Sequence, residues 1–179
     1  MEINNHQEYL LLVEDILNNE KFLELINYYH HNSSIMEHVL SVSFLSYLVC
    51  KKLNLDYVSG ARGGLLHDFF LYDWREYKKN PLNKNHGLNH PKIALENSHQ
   101  CFELNEIECD IILKHMWPKV IGWPKYWESL VVSLVDKYCA CNEFLTKLAY
   151  VTEKTKSPRI RRYIKKISSV DYPAVKTPK

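Results

Sequence analysis

Imidazole and carboxylate side chains are the groups that hold ions such as Fe, Mn, Zn, Co and Ni, and imidazole also moves protons near neutral pH. This chain has nine histidines, and their positions carry more information than their number. His38 falls on an apolar stripe with Ile35, Val42, Leu45 and Val49, at the three- and four-residue offsets of one helix face. His67-Asp68 closes a glycine-containing segment, and His90 stands at the start of a later helix. His115 keeps register with Ile107 and Ile111, and Asp136 lies on the stripe Val132, Asp136, Ala140. Each of these alone reads most simply as a hydrogen-bonded core residue, and a His-Asp pair by itself carries little weight. Together they are four inward histidines and a carboxylate on five expected helices. Such a set is costly to bury unless a cation satisfies its members jointly.

The elements that must position them are helical, because apolar residues recur at three and four rather than at two. The pattern predicts helices over 6–18 and 20–30, the second with Phe22, Leu25, Ile26 and Tyr29 on one face. Ser34-Ile35-Met36-Glu37 is a capping box that opens a third helix, running to about Leu53. Asp56 caps a fourth, in which Gly60, Gly63 and Gly64 imply that another backbone comes very close near His67. From Tyr72 to Asn89 the sequence is charged, rich in Asn and marked by Pro81 and Gly87, which predicts a long surface connection. Pro91 at a first helical position opens a helix over 91–102, and Asn105 with Glu108 opens another that ends at Trp117-Pro118. Further helices are expected over 126–140, 142–153 and 158–167, with no internal repeat.

Composition sets the outer bounds. At 179 residues with 46% hydrophobic and 25% charged side chains, the expectation is one folded all-α domain rather than a disordered or fibrous chain. No apolar run of about 18 residues occurs and MEINNHQEYL lacks a signal-peptide pattern, so a cytoplasmic protein without membrane contact is expected. Five cysteines without a regular framework read as free thiols. Residues 1–153 carry 14 Lys/Arg against 20 Asp/Glu, whereas 154–179 carry 9 against 1. That basic tail has the charge to attract an anionic partner, but a solvated terminal helix is the simpler reading, and nucleic acid is not an expected partner. The sequence has no GxxxxGK[ST], GxSxG or GxGxxG motif, which leaves nucleotide-cradling loops and serine hydrolases without support.

The order His38, His67-Asp68, His90, His115, Asp136, with the surrounding words GGLLHDF, HPKIALENS, ILKHMWP and SLVDKYCA, resembles the HD-domain superfamily of metal-dependent phosphohydrolases. The likeness spans roughly residues 33–141. It implies an HD-domain helical bundle over 33–153, with N-terminal helices in 1–32 packed on it and a basic helix or tail at 154–179. It implies that His38, His67, Asp68 and Asp136 hold one divalent ion and that His90 and His115 hold a second, Asp68 bridging the two. Two ions about 3.5–4 Å apart can share a hydroxide, since metal lowers the pKa of bound water from about 15.7 towards 7. Hydrolysis of a phosphomonoester or phosphodiester in a small phosphorylated substrate follows, with nucleotides among the candidates.

Groups beyond the ligands are assigned by position. Asp73, five residues after Asp68, is a candidate to orient water or take its proton. Arg75, Lys78, Lys79 and Lys84 in the long connection, and Lys119 and Lys137 beside ligands, are candidate phosphate cations, of which Lys119 and Lys137 stand best placed. Lys137 also counts among the catalytic candidates. His86 is a weaker candidate, and His6, His30, His31 and His99 read as surface residues. Trp117, Trp123 and Trp127 either line a pocket for a base or pack near a turn. Two other activities use the same features: an HD-fold di-iron oxygenase, and a binding module that senses a nucleotide or RNA without turnover. Substrate, metal identity and oligomeric state are open at this level.

Overall fold

The structure is a computed structural model that describes residues 5–30, 33–73 and 86–154. The regular elements among the described residues are helices, apart from one two-residue pairing, β1 (Tyr29–His30) antiparallel to β2 (Ser33–Ser34). Helices α1 (Asn5–Leu12), α2 (Glu14–Leu17) and α3 (Glu20–Leu23), with a 3-10 turn at Glu24–Asn27, precede α4 (Ile35–Lys52) and α5 (Tyr57–Leu66). There follow α6 (His86–Cys101), α7 (Glu106–Lys114) and α8 (Trp127–Lys154). The chain divides into two units, Met1–Ala140 and Cys141–Lys179, and all six candidate ligands belong to the first. Among the described residues no helix is long and apolar enough to cross a membrane.

Local signals in the sequence account for most helix ends. Ser34 accepts from the Glu37 amide at 3.2 Å and the Glu37 side chain returns to the Ser34 amide, the reciprocal cap that starts α4. Asn105 and Glu108 do the same for α7. Asp56 caps α5 through the amides of Val58 and Ser59, and its own amide donates to Glu128 of α8 at 2.8 Å.

Elsewhere the boundaries differ from expectation. The first two expected helices are broken into shorter pieces, and Ile26 is 62% exposed although Phe22 and Leu25 are buried. The cause is the 3-10 turn, whose three residues per turn align Leu25 with Phe22 and swing Ile26 off that face. Pro91 lies inside α6 rather than at its start, because the helix begins five residues earlier at His86. Helix α7 stops at Lys114, ahead of the cis Trp117-Pro118 bond. No interruption falls near residue 141, so the two helices expected over 126–153 are one. Ala140 is exposed, and the inward neighbours of Asp136 are Val132, Val135 and Cys139. The expected helix at 158–167 lies outside the described residues.

Packing explains the glycines. A Cβ on Gly64 would lie 2.9 Å from Ser43 Cα, so α4 and α5 meet backbone to backbone there, and one on Gly60 would lie 2.8 Å from the Cys50 Sγ side-chain atom. On another side of α5, a Cβ on Gly63 would strike Ile111 of α7 at 2.7 Å. Helices α1 to α3 share the main core, where Tyr9, Val13, Ile16, Phe22 and Leu25 join Val39, Tyr47, Leu65 and Phe69. A second apolar cluster, Val42, Ile111, Val132, Val135 and Cys139, joins α4, α7 and α8. Arg62 of α5 adds directional ties, donating to Glu108 at 2.8 Å and Asp15 at 2.6 Å. The five cysteines are free, with Cys50 and Cys139 buried.

Candidate metal centre

Helix ends and helix interiors contribute the site in equal measure. His67 follows the last residue of α5 with helical backbone angles, and its Nδ1 lies 2.8 Å from the carbonyl of Gly64. His115 follows the last residue of α7 in the same way, with Nδ1 2.8 Å from the carbonyl of Ile112. A carbonyl can only accept, so each Nδ1 carries the proton and, in the neutral ring, each Nε2 presents a lone pair. This is the tautomer in which a histidine ligates through Nε2 while its other nitrogen is held by an outer partner. His38 comes from the second turn of α4 and His90 from within α6, and both are buried. The His90 ring lies 5.6 Å from that of Phe70, whose neighbour Phe69 is also fully buried.

Asp68 is the centre of the arrangement. Its Oδ1 lies 3.1 Å from His90 Nε2 and 3.5 Å from His115 Nε2, and those two nitrogens are 2.8 Å apart. Its Oδ2 lies 3.7 Å from His67 Nε2, on the side where Asp136 Oδ1 is 3.8 Å from the same nitrogen and 3.0 Å from His38 Nε2. The six side chains that the sequence singled out as ligands therefore converge. Two triads, His38/His67/Asp68 and Asp68/His90/His115, each have ligand atoms within 4.8 Å of one another, and Asp68 belongs to both.

Electrostatics and hydrogen bonding say what the cluster lacks. Burial pushes the Asp68 carboxyl up, but the imidazoles of His67, His90 and His115 outweigh it and hold the group well below the usual carboxylate range. Asp136 is shifted the same way: burial opposes, and His38, His67 and His115 prevail. Burial, with His90 and His67 alongside, brings His115 down to about 3, so that ring is neutral near pH 7. Fully buried His67 Nε2 and Asp68 Oδ1 have no hydrogen-bond partner among the described residues. Each such orphan costs about 1–3 kcal/mol. Ligand atoms at about 2.0–2.2 Å from one ion lie about 2.8–3.6 Å apart at right-angle to tetrahedral geometry. The spacings of 2.8, 3.1 and 3.5 Å around Asp68 Oδ1 fall close to that range. A divalent cation suits these donors: nitrogen lone pairs and carboxylate oxygens, with protons already directed outward.

The remaining candidates are placed differently. Asp73 is exposed, beyond the buried Phe69 and Phe70. Lys119 is exposed, its ammonium packed over Gly87 in the first turn of α6. Arg75, Lys78, Lys79 and Lys84 lie outside the described residues. Lys137, read as a phosphate-binding or catalytic cation, faces the end of α7. Its ammonium donates to the carbonyls of His115 and Ser133 and to Ser133 Oγ, each at 2.9 Å, so three protons already have three acceptors. Trp123 and Trp127 are 74% and 70% exposed, and Trp123 stacks on Trp117 with ring centres 4.7 Å apart. Sequence reasoning missed the carbonyls of Gly64 and Ile112, which only helix-end geometry reveals, and Ser133, for which the one clue was its place four residues before Lys137. Comparison of the chain with protein-family models, with curated proteins and with solved structures found no match to any of them.

Proposed function

We propose that this protein is a metal-dependent phosphohydrolase, with His38, His67, Asp68 and Asp136 holding one divalent ion and His90, His115 and Asp68 a second. One observation carries the reading: two buried triads of imidazole and carboxylate groups share Asp68, with Asp136 beside them, and His67 Nε2 and Asp68 Oδ1 have no hydrogen-bond partner among the described residues. The order of these residues along the chain, similar to that of HD-domain phosphohydrolases, supports the same chemistry. Ions bound there supply an activated water and counter-charge for a phosphoryl oxygen.

The chain's own groups have separable tasks. His67 and His115 present Nε2 lone pairs because their Nδ1 protons are bound to backbone carbonyls. Asp68 and Asp136 stay ionised in a buried setting and offset the positive charge of the ions. Leu66, Phe69 and Phe70, which flank His67-Asp68 in the chain, are fully buried, and an apolar setting of this kind strengthens charge interactions. Lys119, exposed and packed over Gly87 at the start of α6, is a candidate to meet an anionic substrate.

Elemental analysis of protein purified without chelator is the first test, followed by hydrolysis of p-nitrophenyl phosphate and bis-p-nitrophenyl phosphate by protein loaded with Mn, Fe, Co, Ni or Zn. Turnover that disappears in Asp68→Ala while the far-ultraviolet circular dichroism is retained is the expected result. A metal-loaded wild type that leaves both esters intact refutes the proposal. Oxygen consumption by an iron-loaded form in that case would replace it with an oxygenase.

A further inference from the structure

The environment of Lys137 gives it a second use. Ser133 and Lys137 stand one turn apart on α8 and converge on the carbonyl of His115, with Ser133 Oγ 2.8 Å away and Lys137 Nζ 2.9 Å away. Ser133 is fully buried and its hydroxyl also lies 3.2 Å from the carbonyl of Trp117. The carbonyl of His115 belongs to the end of α7, where backbone acceptors have no partner within the helix and the dipole favours a cation. The side chain of that same residue carries a ligand nitrogen. The residue before Lys137 is Asp136, so one turn of α8 reaches both His38 through a carboxylate and His115 through an ammonium.

We infer that Lys137 and Ser133 are positioning residues for the centre: they pin the His115 backbone, aim its Nε2 at Asp68 and His90, and tie that triad to the helix turn that carries Asp136. The inference rests on the metal-dependent reading for its consequence, though the clamp itself is a property of the metal-free chain. An anion competing for the Lys137 ammonium would have to break three hydrogen bonds at 2.9 Å. The two ligands that α8 serves are thereby linked, since any shift of that turn moves Asp136 and the His115 carbonyl together.

Two readouts on the full chain test this with Lys137→Met, Ser133→Ala and the cation-preserving Lys137→Arg. In Co(II) titrations followed by visible absorption, wild type should fill two sites. Lys137→Met should weaken the site that His90→Ala abolishes by about 10–100-fold, the range for outer partners of metal ligands. The other site should hold its affinity, Ser133→Ala should act in the same direction, and Lys137→Arg should recover part of the loss. In long-range nitrogen–proton spectra of the metal-free protein, His115 should be the Nδ1–H tautomer in wild type and a mixture in Lys137→Met.

Unchanged Co(II) affinity and an unchanged His115 signal in both Lys137→Met and Ser133→Ala would overturn the inference. So would equal weakening of both sites, or a raised KM for phosphoester with metal affinity intact, which would return Lys137 to phosphate binding. Should Lys137→Met fail to fold, Ser133→Ala decides. If wild type takes up no Co(II), the proposed function falls and the His115 spectrum alone decides the clamp.

Discussion

His67 and His115 sit at the ends of α5 and α7, whereas His38 and His90 sit inside α4 and α6, and the two pairs are aimed by different means. The helix-end rings are oriented by their own backbone, each through a carbonyl three residues earlier. The mid-helix rings face partners distant in sequence, His38 towards Asp136 at 3.0 Å and His90 towards His115 and Asp68 at 2.8 and 3.1 Å. Backbone carbonyls near in sequence hold the first pair, partners distant in sequence meet the second, and Asp68, which directly follows a helix-end histidine, stands between them.

The sharpest break of that comparison is Asp68→Ala, which removes a ligand from both triads. Metal content should fall from two ions to none or one weakly held, with affinity reduced beyond the 10–100-fold typical of outer partners, as read by elemental analysis and calorimetry. Next come His90→Ala and Asp136→Asn, each expected to lose one of two ions. Asp136→Asn should also shift the His38 ring signals while His67 keeps its Nδ1–H tautomer, so nuclear magnetic resonance of the two rings tells the two contacts apart.

Acid should act on the metal-free protein through the same groups. The unfolded chain binds a proton at His115 near pH 6.5, while the folded ring, at about 3, does not. Stability from this residue is therefore complete above about 6.5 and declines as pH falls towards 3. Asp68 and Asp136 have lowered values, so their contributions also decline with acid, and denaturant midpoints should drop in that direction. Gly64→Ala is expected to cost about 1–3 kcal/mol, since its methyl group would meet Ser43 backbone at 2.9 Å. Ser34→Ala, which removes one cap, should cost about 1 kcal/mol and leave metal affinity unchanged.

The helical class and all six candidate ligands were legible in the sequence because three- and four-residue periodicity and paired caps are local signals. Asp56, Ser34 and Asn105 act as their types and positions indicate; of the glycines before His67, Gly64 meets a neighbouring backbone as inferred, while Gly60 and Gly63 meet the side chains of Cys50 and Ile111. What was not legible depended on neighbours in space. Nothing local says that α6 begins at His86 and runs through Pro91, or that α8 passes residue 141 without a break. Lys137 shows the limit best: a cation beside a ligand suggests an anion site, and only the fold shows that its protons face a carbonyl 22 residues away.

The Gly64–Ser43 approach lies three residues before His67 and five after His38, so the gap between the helices bearing these two rings is set by main-chain atoms that cannot yield. Closing that gap around a smaller ion would drive main-chain atoms into one another, whereas widening it for a larger one would give up packing between α4 and α5. In the proposed centre the lower limit on ion size would then be set by a mechanical stop remote from the ligand atoms.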